Sequence, residues 1–432
     1  MLRRNRGNHL IRNWVVIVAA LAAMAVVISA CGSSSDSASG DKASSGEGKA
    51  GPKLEIPPIS DADYKKISVD AFDYFIPKDE LPPVVADTLA LLNQPLTDEQ
   101  LTKLNGCLKV AVCEIGKGPL SVGYLETAGN VPYRKLARAV TIATALRIPA
   151  IGKIYYTDAN NNLQKALSDF RGMITQKVDI MTGIFDYGAS MKPLSRQATT
   201  QGLQVIPGYT NYIPGATPKE VSFQVGLDLC EYGKDYAATA IASGPKTGGK
   251  AAFLTGLAGN PFGNGWQKCA KPALEAAGWK VVFNGATEDT PQGEAKQAAA
   301  IISSGGVDAI MYDYTCENFI GEFIRLKAKI PTIIVSSGTL GCIRAVEKAY
   351  KDGHQFDAYI ANSDIWFGAP SIVAAVQKAQ GAKTPFSQVI PQKHIPVKDL
   401  FAAAEAVPRT IPNSGNLNTL LPLSVQEAAF EG

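Results

Sequence analysis

From residue 108 onward the chain repeats one pattern. Apolar runs of 5 to 8 residues, rich in β-branched side chains, alternate with stretches of 12 to 16 residues whose apolar positions recur at helical spacing. The runs "LKVAVCEI" (108–115), "AIGKIYY" (150–156), "VDIMTGIF" (178–185) and "LQVIPGY" (203–209) predict strands. "YRKLARAVTIATAL", "NLQKALSDFRGMITQ" and "MKPLSRQATTQG" predict the helices between them. The pattern then restarts: "KAAFLTG", "WKVVFNG", "VDAIMYDY" and "TIIVSS" alternate with "GWQKCAKPALEAAG", "EAKQAAAIISSG" and "NFIGEFIRLKA". Strand–helix–strand repeats require parallel strands and right-handed crossovers. An α/β fold with two doubly wound parallel-sheet lobes follows. Such sheets bind ligands beyond the carboxyl ends of their strands, so two lobes with those ends facing each other enclose a cleft.

The first hundred residues are patterned differently. Arg3, Arg4, Arg6 and Arg12 precede "WVVIVAALAAMAVVISA", an uncharged run of 17 residues. It is slightly short for a spanning helix and ends in small residues before Cys31, which predicts a signal peptide over 1–30. Residues 31–52 are rich in Ser and Gly, carry no large apolar cluster and predict a flexible tether. Residues 53–105 predict a helical extension packed against a lobe, with Thr97 and Gln100 spaced as a capping box.

Composition narrows the chemistry. Removing residues 1–30 takes four arginines from a net charge of +3 and leaves −1, so no basic field attracts nucleic acid. Apart from Cys31, six cysteines remain, an even number suited to disulfides in an exported chain. Cys316 and Cys342 follow neighbouring strands of the second lobe and are the expected pair, with Cys230–Cys269 as a second. Only three histidines are present and no C-x-x-C occurs, which leaves little for a zinc site or a His-based triad; no metal and no cofactor is expected.

The loop "TGLAGNPFGNGW" (255–266) follows a strand and concentrates glycines that let backbone approach closely. "GPKTGGK" (244–250) fits the first part of a phosphate loop, but Ala251 follows the lysine and the next residues read as a strand, so it predicts a turn. Tyr187, Tyr209, Tyr212 and Tyr314 each fall just past a strand end, where the cleft should lie. No carboxylate pair is placed as an opposed acid and base.

"TGLAGN" after a strand, "VDAIMYDYTCENFIG", "FQVGLDLCEYGKDYAATAIA" and "VIPQKHIPVKDL", in that order and spacing, resemble the type I, sugar-binding kind of periplasmic solute-binding protein that serves ABC transporters. "ISAC" resembles a lipobox, which implies lipidation of Cys31. The resemblance implies two lobes joined by a three-segment hinge, with 106–218 and 338–362 in lobe 1 and 219–337 and 363–432 in lobe 2. Its ligand contacts fall on Tyr209, Thr210, Trp266 (where relatives carry an arginine), Tyr314, Ser337 and Asn362. Tyr187, Asn260, Phe262 and Asp364 join them by position.

Rings and small polar groups thereby replace the family's charged groups, which implies a neutral or cationic organic ligand with a flat face. The implied protein is a monomeric, non-enzymatic receptor at the outer face of the cell membrane. It delivers a small solute to an ABC permease, by closure of its lobes. A ligand-sensing lipoprotein for a membrane kinase and a hydrolase on the same lobes are the alternatives.

Overall fold

The computed structural model describes residues 50–210, 212–361 and 365–431. Cys31, Asn362 and Asp364, together with the predicted signal peptide and most of the tether, lie outside the described residues.

The extension forms α1 (Asp61–Phe72), α2 (Pro83–Leu92) and α3 (Asp98–Cys107). Ser60 caps α1 by accepting from the Asp63 amide. At α3 the Thr97 hydroxyl accepts from the Gln100 amide while the Gln100 side chain accepts from the Thr97 amide, the reciprocal capping box. These helices share a continuous apolar core with lobe 1.

Lobe 1 is built from β1 (Val112–Glu114), β2 (Leu120–Glu126), α4 (Pro132–Ala145), β3 (Ile151–Asp158), α5 (Leu163–Thr175), β4 (Ile180–Gly183), α6 (Lys192–Thr200) and β5 (Gln204–Pro207). Its sheet runs β1-β3-β2-β4-β5, all parallel except β1. The run expected as the first parallel strand, 108–115, contributes only the short antiparallel edge β1. The central strand is instead β2, which the periodicity did not reveal. Nearly every residue of β2 is buried, but Ser121 and Gly123 interrupt its apolar run, so LSVGYLE lacks the signal that marks the other buried strands.

After β6 (Gln224–Gly226), lobe 2 follows with α7 (Leu229–Ser243), β7 (Lys250–Thr255), α8 (Pro261–Ala276), β8 (Lys280–Ala286), α9 (Pro291–Ser303), β9 (Ala309–Tyr312), α10 (Glu317–Arg325), β10 (Thr332–Val335), α11 (Leu340–Lys351) and β11 (Ala358–Ile360). The chain then forms α12 (Gly368–Ala379), β12 (Ser387–Val389), β13 (Ile395–Pro396), α13 (Phe401–Ala406) and α14 (Leu423–Glu431). The second sheet runs β13-β11-β10-β9-β7-β8, with only β13 antiparallel.

The lobes exchange segments differently from the expected boundaries. Residues 338–362 were expected in lobe 1, yet β11 pairs in parallel with β10, so α11 and β11 extend the second sheet. Residues 363–432 were expected in lobe 2, yet α12 packs on α4 and α2, and α14 on α3 and α4, all on the lobe 1 side. A βαβ unit continues its own sheet unless a long connection carries it away, and the connection between α11 and β11 is short. The expected three crossings are therefore four. They lie between β5 and α7, between β11 and α12, between β12 and β13, and between α13 and α14. At the first and third, β6 and β12 pair as a two-stranded parallel ribbon.

Among the described residues all six cysteines are paired: Cys107–Cys113, Cys230–Cys269 and Cys316–Cys342. The first ties α3 to β1, the second α7 to α8, and the third links the start of α10 to α11.

Candidate solute-binding cleft

A cavity of about 70 Å³ lies between the carboxyl ends of the two sheets. At about 10–15 Å³ for each water-sized position it has room for a small solute. Lobe 1 contributes Tyr133 and Arg134 from the start of α4, Asp186 from the loop after β4, and Tyr209 and Tyr212 from the first crossing. Lobe 2 contributes Asn260 and Phe262 after β7, Asp289 after β8, Asp313 and Tyr314 after β9, and Ser337 after β10. Every one of these positions follows a strand end, where a parallel sheet leaves its loops free to converge.

Arg134 organises the lobe 1 wall. One guanidinium nitrogen donates to Glu126 at 2.7 Å and the other to Asp186 at 2.6 Å. Burial opposes the guanidinium charge, but Asp186 and Glu126 outweigh it and hold the pKa of Arg134 above its ordinary value. The second oxygen of Asp186 accepts from the Tyr212 hydroxyl at 2.5 Å, and burial beside Asp186 pushes the Tyr212 phenol up. The Tyr133 and Tyr209 hydroxyls lie 2.6 Å apart. Tyr209 also reaches across the cleft, its ring centroid 5.3 Å from that of Phe262 in an edge-on contact.

The lobe 2 wall explains the glycines of "TGLAGNPFGNGW". Asp313 accepts from the Thr255 hydroxyl at 2.6 Å and from the Gly256 amide at 2.8 Å. A Cβ on Gly256 would lie 1.8 Å from a carboxylate oxygen of Asp289, so only glycine lets that side chain sit against the loop. Asn260 caps α8 by accepting from the Gly263 amide at 2.6 Å, which aims the helix start at the cleft. Burial raises Asp313 to about 7 and Asp289 to about 6. Arg134 is the one cation on the cavity wall among the described residues, against three carboxylates.

No protein-family model matches the chain, and no curated protein matches it. Solved structures do. The periplasmic binding protein of the arabinose ABC transporter from Shewanella sp. ANA-3, bound to arabinofuranose, matches at 16% identity and a TM-score of 0.56, covering 66% of this chain and 94% of that one. An ABC transporter solute-binding protein from Bacillus halodurans C-125 with bound myo-inositol matches at 18% identity and 0.55, covering 66% and 98%. The fructose-binding periplasmic domain of a hybrid two-component system matches at 12% identity and 0.56, covering 66% and 94%. The chain has the type I periplasmic-binding-protein fold.

Within that fold, the sequence-derived candidates separate into three groups. Tyr209, Asn260, Phe262, Tyr314 and Ser337 line the cavity. Tyr187 lines a broader outer groove that meets the cavity at Asp186 and Asn260. Thr210 and Trp266 are elsewhere. The Thr210 hydroxyl donates to the Leu227 carbonyl at 2.7 Å and ties the first crossing to itself.

Trp266, expected to stack on the ligand, is fully buried inside lobe 2, with its ring 4.7 Å from Tyr236 and 5.0 Å from Phe253. The correction has a geometric cause: Trp266 lies on the face of α8 that packs against α7. There Gly233 approaches so closely that a Cβ would come within 2.1 Å of the Trp266 carbonyl oxygen.

The second correction concerns charge. The cleft was expected to be aromatic and nearly uncharged, yet Arg134, Asp186, Asp289 and Asp313 stand beside its rings. Asp186 and Asp313 are the immediate neighbours of the chosen Tyr187 and Tyr314. Asp313 and Tyr314 both line the cavity, so naming one residue at each strand end left the adjacent carboxylate out of the wall.

Proposed function

We propose that this chain is a non-enzymatic extracytoplasmic receptor that closes two lobes on one small, hydroxyl-rich solute and presents it to an ABC permease. The observation that carries this reading is an interlobe cavity whose two walls combine carboxylates with tyrosine rings. Carboxylates accept hydrogen bonds from solute hydroxyls, and rings cover the apolar C–H face of a sugar or cyclitol. Arg134 is already paired to two carboxylates, so the cavity has a surplus of acceptors and of negative charge. It therefore selects donor-rich neutral or cationic solutes and repels uronates and sugar phosphates. The arabinose and inositol bound by the similar structures are solutes of this kind. Closure follows from contacts that exist only when both walls meet the ligand.

A thermal-shift panel of pentoses, hexoses, inositols and linear polyols, each paired with its acidic derivative, tests the reading. A true ligand at 100 times its Kd adds about 2.7 kcal/mol of stability. Stabilisation confined to acidic derivatives, or none across the panel, counts against it.

The carboxylates set a pH dependence. Asp313 at about 7 and Asp289 at about 6 hold protons in the folded, empty protein that the unfolded chain, at 3.8, has released. Their contribution to stability is present below the unfolded value and is lost as pH rises through about 6 to 7. A ligand that donates to the ionised oxygens reverses this preference. Binding is expected to strengthen between pH 5.5 and 7.5 and to release protons near pH 6.5. Calorimetry in two buffers of different ionisation enthalpy measures that release, and proton-neutral binding would remove both carboxylates from the contact.

Among the described residues no helix is long and apolar enough to cross a membrane. In the proposed reading the membrane attachment is a lipid on Cys31. Cys31→Ala is expected to move the protein from the membrane to the soluble fraction with solute affinity unchanged, because the described residues that line the cleft all lie beyond residue 130. Retention at the membrane would contradict the anchor. Delivery to a sensor is the second reading, favoured by the same fold in a two-component receptor domain. The neighbouring genes, permease or kinase, discriminate between them.

A further inference from the structure

The matched structures correspond to 66% of this chain while being covered almost entirely themselves. The 49 residues before the described region make up only part of the remaining third, so described elements beyond the shared two lobes account for the rest. The helical extension has such a place, and its contacts converge on the crossings between the lobes.

At the end of α1, the Ala71 carbonyl accepts from the Trp366 indole at 3.3 Å, and the Phe72 ring lies edge-on to Trp366 at 5.4 Å. Trp366 belongs to the second crossing. Two residues on, the Tyr74 hydroxyl reaches the Pro391 carbonyl at 3.5 Å, and the Lys393 ammonium lies 4.3 Å from the centre of the Tyr74 ring. Both partners belong to the third crossing. The flank of α1 packs against the turn Leu417–Thr419 of the fourth crossing. One short segment, 71–74, thus holds two crossings directly, and its helix touches another.

We infer that the extension is a hinge brace that biases the cleft toward its closed form. The inference rests on the reading of the cleft as a site that opens and closes. A brace shifts that equilibrium only through contacts that differ between the two forms. Segments that cross between lobes must change direction when the lobes part, so ring and hydrogen-bond contacts fastened to several of them at once are lost or strained on opening. The same contacts, made on a single lobe, would add stability and leave the equilibrium alone.

The test measures opening without any solute. Ser190 and Lys268 are exposed on opposite walls of the outer groove, one in each lobe. Cysteines placed there, in the full chain carrying Cys31→Ala, are the free thiols for spin labels, since the other six are paired. Pulsed electron resonance then gives the interlobe distance distribution. Tyr74→Ala and, separately, Lys393→Met are expected to raise the open-to-closed ratio about three- to tenfold, the effect of losing one ring contact.

Leu89→Ala, a buried site in α2 of the same extension, is the control: it lowers the melting temperature and leaves the distribution unchanged. Distributions for Tyr74→Ala and Lys393→Met that match the parent, or that shorten, overturn the brace. So does an equal shift in Leu89→Ala, which would mark a general loss of stability. Solute hits in the thermal-shift panel bear on the receptor reading alone, so the two ideas fail separately.

Discussion

Arg134→Ala is expected to destabilise the protein by about 3–5 kcal/mol and to abolish solute binding. The side chains of Glu126 and Asp186 are 0% and 4% exposed, and each relies on the guanidinium for compensation. One oxygen of Glu126 already has no hydrogen-bond partner, and burial raises the Glu126 pKa even with Arg134 beside it. Removing the arginine leaves two buried carboxylates close together, and one must take up a proton.

Urea unfolding measures the loss. A loss below about 1 kcal/mol would mean that the pair is hydrated and that the lobe 1 wall is not the rigid element described above. The combination Arg134→Met, Glu126→Gln, Asp186→Asn separates the two effects. It should recover much of the stability, since apolar or neutral replacement of a buried ionic cluster is often tolerated. It should recover no binding, because the Asp186 carboxylate and the orientation it imposes on Tyr212 are gone.

Trp266→Ala is expected to lower stability by about 3–5 kcal/mol, the usual result of truncating a large core side chain, while solute affinity at 25 °C changes little. The indole fills the space between Tyr236 and Phe253, and its loss leaves a cavity beneath α8. Affinity measured on the same purified variant decides the matter. A large affinity loss with unchanged unfolding would return Trp266 to the ligand site and contradict its position in the structure.

The two substitutions mark where sequence reasoning reached and where it stopped. The strand and helix alternation of both lobes was legible, because the side-chain periods of 2 and 3.6 are properties of neighbouring residues. The α3 capping box was legible for the same reason. The central strand β2 was not, since Ser121 and Gly123 break the apolar run by which the other buried strands were recognised. The ten candidates came from the family resemblance and from positions near strand ends, and five of them line the cavity: Tyr209, Asn260, Phe262, Tyr314 and Ser337. Asp186 and Asp313 sat one residue away and could have been found by the same rule, applied to both residues leaving each strand.

Arg134 had no such marker. It occupies the first turn of α4, where the helix dipole disfavours a cation, and in sequence it looks like any solvated arginine on an amphipathic helix. Its meaning comes from Glu126, 8 residues before it, and Asp186, 52 residues after it.

By itself, then, the sequence determined the architecture of two parallel-sheet lobes and the edge of each sheet at which a ligand would lie. Tertiary structure decided the rest: which lobe takes α11, β11 and α12, that a fourth crossing returns α14 to lobe 1, and that the extension reaches the crossings between the lobes. It also decided that the cleft is charged, and that Trp266 is core. The physical reason is common to all of these. Periodicity and caps are written in contacts a few residues apart, whereas ion pairs, segment exchange and the burial of one aromatic depend on chain positions tens to hundreds of residues apart, and only folding brings those together.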